Sequence, residues 1–162
     1  MANDIPTLRR VRVAKAPRTL AIDWQGGGRD TVDLTGLIAR REVFAPLGDA
    51  AEFATAHIIN NGGGVAWNCG ADCSATSLYI IAEEQRPMKA REFSEFISAR
   101  AFSLNEAAEL LDVSRTTIQN YRSGKSDVSA TVATSVRAMI REPSVLYAHF
   151  RPVKRGRPRK RA

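Results

Sequence analysis

Apolar and polar residues alternate along the first third of the chain. In LRRVRV the apolar positions include Val11 and Val13, and in TLAIDWQ they are Leu20, Ile22 and Trp24. A two-residue period is that of a strand with one buried face, so two strands are expected here. GGGRD supplies a turn at which positive φ carries no steric cost, and TVDLTGLI continues the pattern, which predicts a three-stranded meander. AHIINNGGGVAWN predicts a second hairpin with the Asn-Gly-Gly-Gly run as its loop. Ser74 is placed to cap a short helix through ATSLYIIAEEQ, RPMKA closes the period, and a linker is expected near residues 86–90.

From Arg91 onward the period becomes helical. Phe93, Phe96 and Ile97 share one face of REFSEFISAR at i, i+3, i+4 spacing. Ser103 with Glu106 forms a capping box, so LNEAAELL starts a helix at a defined residue. LDVS makes a turn, Ser114 caps RTTIQNYR, and SGK stops it. Val132, Val136, Met139 and Ile140 mark the stripe of a fourth helix, and Pro143 is placed to open a fifth.

Charge changes this picture only at the end of the chain. Residues 1–90 hold ten Lys or Arg and ten Asp or Glu, and residues 91–150 hold seven of each. The last twelve residues hold seven basic groups and no acid, so the net +7 resides there, and a polyanionic partner is expected for it. No apolar run approaches the ~20 residues of a membrane helix, and MANDIPTLRR lacks the apolar centre of a secretory signal. The protein is therefore expected to be cytoplasmic, with Cys69 and Cys73 both as thiols.

FSLNEAAELLDVSRTTIQNYRSGK predicts two short helices joined by a turn of about four residues. Ala107 and Ala108 would let the backbones approach, Leu111, Val113 and Ile118 would form their shared core, and Asp112 would occupy the turn. The stretch resembles the helix-turn-helix of the Cro and phage-repressor superfamily, over about residues 91–150. The resemblance implies a five-helix, lambda-repressor-like DNA-binding domain whose second motif helix enters the major groove. By position, Arg115 and Thr116 would read bases, with Thr117, Gln119 and Asn120 close behind, while Ser114, Arg122 and Lys125 would meet phosphates. Many relatives carry a Gln at the start of the first motif helix where this chain has Leu104, so that phosphate contact is not carried over.

The ending VKRGRPRKRA resembles the AT-hook, on Lys154, Arg155, Gly156, Arg157, Pro158 and Arg159. The minor groove is only ~6 Å wide, so Gly at the centre would let the backbone lie on its floor while the arginines follow its walls. The resemblance implies a preference for A-T rich duplex. A nonspecific basic tail, the plainer reading, also predicts nucleic acid.

In the first part of the chain, the VDL strand, F-x-P-L-x-D-x-x-x-F from Phe44 to Phe53, and W-x-x-G-A-D followed by a Leu-Tyr pair resemble the bacterial domain-of-unknown-function 2442 family over roughly residues 8–84. The resemblance implies a small α+β module. Such modules are often encoded beside toxin genes and sometimes fused to a helix-turn-helix, so the resemblance implies an antitoxin, which would neutralise a toxin and autoregulate its operon, or an autoregulator. Trp67, Phe44 and Phe53 read most simply as core. Cys69 and Cys73 with His57 would be half a metal site that nothing elsewhere completes, so neither a metal nor another cofactor is expected. Neither His57 nor His149 sits in a nucleophile arrangement, and no phosphate loop or paired-carboxylate signature appears, so an enzyme is not expected.

The sequence thus predicts an α+β chain in three parts. Residues 1–88 form a small interaction domain, 89–150 an all-α helix-turn-helix domain, and 151–162 a disordered basic tail. The expected function is a homodimeric, nucleoid-associated transcriptional regulator or repressor on double-stranded DNA. The rivals are an antitoxin and an architectural protein of A-T rich DNA. Whether the first domain takes a toxin, a small effector or its own twin stays open.

Overall fold

A computed structural model describes residues 5–153, as a mixed α+β chain with two small antiparallel sheets. It divides into two compact units that part between Arg86 and Pro87. Among the described residues no helix is long and apolar enough to cross a membrane.

In the first unit, β1 (Leu8–Val13), β2 (Thr19–Trp24) and β3 (Arg29–Asp33) form the expected antiparallel meander with β2 at its centre. Pairing Val11 with Ile22 and Leu20 with Val32 puts the apolar set on one face, where Leu20, Ile22 and Val32 are fully buried. The β2–β3 turn needs glycine: Gly27 and Gly28 have φ of 94° and 91°.

The strand expected through TVDLTGLI ends early. Asp33 Oδ1 accepts the Thr35 N–H at 2.8 Å, which turns the chain into α1 (Thr35–Arg40). Leu34 and Ile38, buried four residues apart, follow the helical period and not the alternating one.

A 3-10 stretch, Glu42–Gly48, then turns Phe44 and Leu47 inward, and Asp49 caps the single-turn α2 (Ala50–Phe53) by accepting from Ala51 and Glu52. The hairpin expected at AHIINN is β4 (His57–Ile59) and β5 (Gly64–Ala66), with a 3-10 turn at Asn60–Gly62. Gly62 has φ of 92°, and a Cβ there would strike the Leu8 carbonyl oxygen. A third strand, β6 (Asp72–Ser74), pairs with β5 and extends the hairpin that the sequence predicts. Ser74 caps α3 (Ala75–Gln85) by accepting from Ser77 N–H at 3.1 Å.

The core of this unit gathers around Trp67, which is 2% exposed. Its indole N–H donates to the Phe53 carbonyl at 3.1 Å, with Phe44 edge-on at 6.5 Å and Phe53 tilted at 6.0 Å. The donor is thereby satisfied inside the core, as a buried indole requires. The end of α3 is tied to β3 by side chains: the Gln85 amide bonds Asp33 both ways, at 2.9 and 2.8 Å. Asp30 accepts from the Trp24 indole at 2.6 Å and from Arg86 at 2.8 and 2.6 Å.

The second unit is helical: α4 (Ala90–Ala99), α5 (Leu104–Leu110), α6 (Arg115–Ser123), α7 (Ala130–Arg141) and α8 (Pro143–His149). Phe93, Phe96, Ile97, Ala107, Ile118, Tyr121, Val136 and Met139 belong to one apolar cluster. On α7 the inward stripe is Val132, Ala133, Val136 and Met139; Ile140, expected in it, is 50% exposed.

Candidate nucleic-acid interface

Three successive helices of this unit stop in the same way. After α4, the Phe102 N–H bonds Ile97 O (3.2 Å) and the Ala101 N–H bonds Ser98 O (3.1 Å), with Ala101 at φ 52°. After α5, Val113 bonds Ala108 (3.0 Å) and Asp112 bonds Glu109 (3.3 Å), with Asp112 at φ 51°. After α6, Lys125 bonds Asn120 (3.0 Å) and Gly124 bonds Tyr121 (3.3 Å), with Gly124 at φ 72°. Each is a Schellman ending, in which one left-handed residue lets two backbone N–H groups satisfy carbonyls that the helix end leaves free.

The turn between α5 and α6 is therefore fixed from both sides. Before it, the capping box of α5 is complete, with Glu106 N–H on Ser103 Oγ at 3.2 Å and Ser103 N–H on Glu106 Oε2 at 2.9 Å. Ala107 is fully buried and Ala108 packs against the same cluster, so small side chains occupy the place where α5 meets its neighbours. After the turn, Ser114 Oγ accepts the Thr117 N–H at 3.0 Å and starts α6.

One face of α6 is anchored by Ile118, fully buried, and Tyr121, whose ring lies edge-on to Phe93 at 5.5 Å. Arg115, Thr116, Gln119, Arg122 and Ser123 are exposed. Arg115, Gln119 and Arg122 follow 4- and 3-residue steps, so they form one stripe along the helix. Among the described residues none of these three side chains has a hydrogen-bond or ion-pair partner. Arg115 also stands in the first turn of α6 with no acidic residue beside it. A cation at the positive end of a helix is locally unfavourable by roughly 0.3–1 kcal/mol, and the same arrangement adds two positive contributions toward an anion placed in front.

The other expected contact residues are distributed differently. Ser114 and Lys125 are exposed and flank the two ends of α6. The Thr117 hydroxyl is bonded to Ser114 Oγ at 2.8 Å, so it serves the cap. Asn120 is half-buried, and its carbonyl receives the closing bonds from Gly124 and Lys125. Leu104 is half-buried and lines a shallow depression of about 330 Å³ together with Ser94, Gln119, Arg122 and Ser123. It gives that depression an apolar wall beside Gln119. The expected minor-groove residues, Lys154, Arg155, Gly156, Arg157, Pro158 and Arg159, lie outside the described residues.

The cysteines and histidines of the described residues lie outside α6, and no group of three His, Cys, Asp or Glu side chains among those residues is placed to hold a metal ion. Cys69 is exposed and its backbone N–H is held by Glu52 Oε1 at 2.6 Å, whereas Cys73 is buried and its thiol is pushed up to about 11, by burial first and the Asp72 charge second. His57 is exposed, with Nδ1 3.0 Å from the Thr55 carbonyl.

Comparison with known proteins bears mainly on the first unit. Residues 9–84 match the model of the family described as "Protein of unknown function (DUF2442)", and the match spans both sheets and nearly all of α3. The first unit is thus similar to that family over nearly its whole length. No curated protein matches the chain. A crystal structure from Nitrosomonas europaea, described as that of a "putative DNA binding protein", is similar at 25% sequence identity and a TM-score of 0.46, covering 95% of this chain and 94% of the other. That overlap is too loose to establish a common fold.

Proposed function

We propose that this chain is a sequence-reading DNA-binding protein, a transcriptional regulator in which α6 enters the major groove. The observation that carries this reading is the exposed stripe of Arg115, Gln119 and Arg122, without partners among the described residues, on a helix whose buried side is locked by Ile118 and Tyr121. Arg is suited to guanine O6 and N7, and Gln to adenine N6 and N7, so Arg115 and Gln119 are the base readers, with Thr116 beside them. Ser114, Arg122 and Lys125 take phosphates, and Asn120 stands behind the readers. Thr117 supports the geometry through the cap.

Charge adds a division of labour. Residues 91–150 are balanced, seven basic against seven acidic, so this unit gains little long-range attraction to a polyanion. The seven basic groups of residues 151–162 supply it, and in this reading Arg155 to Pro158 lie in an A-T rich minor groove next to the reading helix. Two copies on an operator with inverted symmetry follow from the docking geometry of such helices, with half-sites roughly 34–36 Å apart. Selection of bound fragments from random duplex DNA tests the reading. It predicts enrichment of a short, inverted-repeat sequence flanked by A-T rich DNA; fragments no different from the starting pool would refute it.

A further inference from the structure

The first 90 residues are neutral in total, yet their charges are sorted along the chain. Residues 5–41 carry eight Lys or Arg and three Asp, whereas residues 42–85 carry six Asp or Glu and no basic residue at all. The first segment builds the meander and α1, and the second builds the β4–β5–β6 sheet and its helices. Neutrality therefore hides a basic half and an acidic half within one unit.

The register of the meander concentrates the basic half further. The face turned away from the core carries two cross-strand rows, Arg10–Asp23–Arg29 and Arg12–Ala21–Thr31. Strands lie about 4.8 Å apart, so the three guanidinium groups share one small, flat area with a single carboxylate. Asp23 bonds Arg29 at 2.7 Å and pairs with Arg12 at 3.6 Å. Arg10 acts on the same carboxylate through its charge, without a bond to it. Three cations around one anion leave an excess of two, held in place by strand geometry and by Asp23. Ala21 and Thr31 keep the area between them low, which leaves the cations accessible to a broad partner.

We propose that this outer face of β1–β3 is a phosphate-contacting surface for duplex DNA, additional to α6 and to the basic tail. The choice of partner rests on the reading of the chain as a DNA-binding protein and on charge complementarity: a regular row of phosphates meets an over-neutralised, flat cationic face. Its contacts carry no sequence information, so it raises affinity and salt dependence on every duplex alike.

The test is a salt titration of full-length protein with a fluorescent random-sequence duplex. The double variant Arg10→Ala/Arg12→Ala should flatten the slope of log K against log salt by about 1.8, since each phosphate contact contributes about 0.9. Asp23→Asn, which removes the competing carboxylate, should steepen it by about 0.9. Both variants must keep the wild-type circular dichroism spectrum. Opposite shifts from two substitutions on one face support the proposal, because a general loss of sheet stability would weaken binding in both. Wild-type slopes in both variants would overturn it. The α6 reading fails separately: Arg115→Ala would then leave sequence preference intact, while the slopes of the sheet variants would still move.

Discussion

The three Schellman endings of the second unit make a mutational series in which backbone geometry is shared and the left-handed residue differs: Ala101, Asp112 and Gly124. A left-handed backbone costs a non-glycine residue roughly 1–2 kcal/mol, less for Asp, whose short side chain tolerates it. Replacing Ala101 by Gly removes that strain but returns about 0.5–1 kcal/mol through the greater freedom of the unfolded chain. Ala101 is exposed, so little apolar contact is lost. The net expectation for Ala101→Gly is stabilisation by about 0.5–1 kcal/mol, and for Asp112→Gly a few tenths of that unit, by the same balance. Gly124→Ala runs the other way, destabilising by about 1 kcal/mol or more, with the new methyl 3.5 Å from Ala90 Cβ. Guanidinium titrations followed by far-ultraviolet circular dichroism measure all three. In a unit of this size 1 kcal/mol corresponds to about 4–8 °C in Tm. If Ala101→Gly lowers stability while Gly124→Ala leaves it unchanged, the account of these helix ends is wrong.

Two further outcomes follow from the first unit. Asp30 is held below the ordinary carboxylate range, chiefly by its bonds from Arg86, with the Trp24 indole adding to them against the opposing effect of burial. A depressed folded pKa gives stability that is complete above the unfolded value of about 3.9 and is lost as pH falls through the lower folded value. The Tm of Asp30→Asn should therefore lie below that of the wild type near pH 6 and converge on it in acid below about pH 4; a constant gap from pH 6 to pH 2.5 would refute the pairing. The two cysteines should separate under a thiol reagent at pH 8. Cys69, exposed, should label in the native protein, whereas Cys73, buried and pushed up to about 11, should label only on unfolding. Equal native labelling rates in Cys69→Ser and Cys73→Ser would contradict the packing around β6.

Much of this architecture was legible because it is written in local chemistry. Ser74, Ser103 and Ser114 each announce a helix start that the structure realises, and the alternation through Val11, Val13, Leu20 and Ile22 fixes the meander. What stayed hidden depends on shape or on longer spans. β6 is three residues inside WNCGADCS, too short for a period to appear, and it exists because β5 offers it an open edge. Leu34 and Ile38 were absorbed into a strand pattern, since an i, i+4 pair also satisfies every second position. Ile140 sits beside Met139 at the margin of the stripe, and Ala133 takes the inward place because a small residue fits there. The sorted charges of the first unit vanish when counted over a block as long as 90 residues and emerge once the two sheets are seen to divide them.

On α6 the sequence tells which residues follow the cap, and the structure tells which of them are exposed. Arg115, Thr116, Gln119 and Arg122 were legible from their positions after the Ser114 cap, and all four are exposed. Thr117, expected close behind Arg115 and Thr116, has its hydroxyl bonded to Ser114 Oγ, a choice set by rotamer and not by residue type. Leu104 as a wall of the depression beside Gln119 was also beyond sequence reading, since it requires α5 and α6 to meet at a particular angle.

The central claim is that α6 reads base edges through Arg115. Its most direct measurement compares wild-type and Arg115→Ala protein, by fluorescence anisotropy at fixed salt, on a selected duplex and on a scrambled one of equal composition. Arg115→Ala should lose about 1–3 kcal/mol, roughly 5- to 150-fold in Kd, on the selected duplex and change little on the scrambled one. Equal losses on both, or no binding of either duplex by the wild type at low salt, would contradict it.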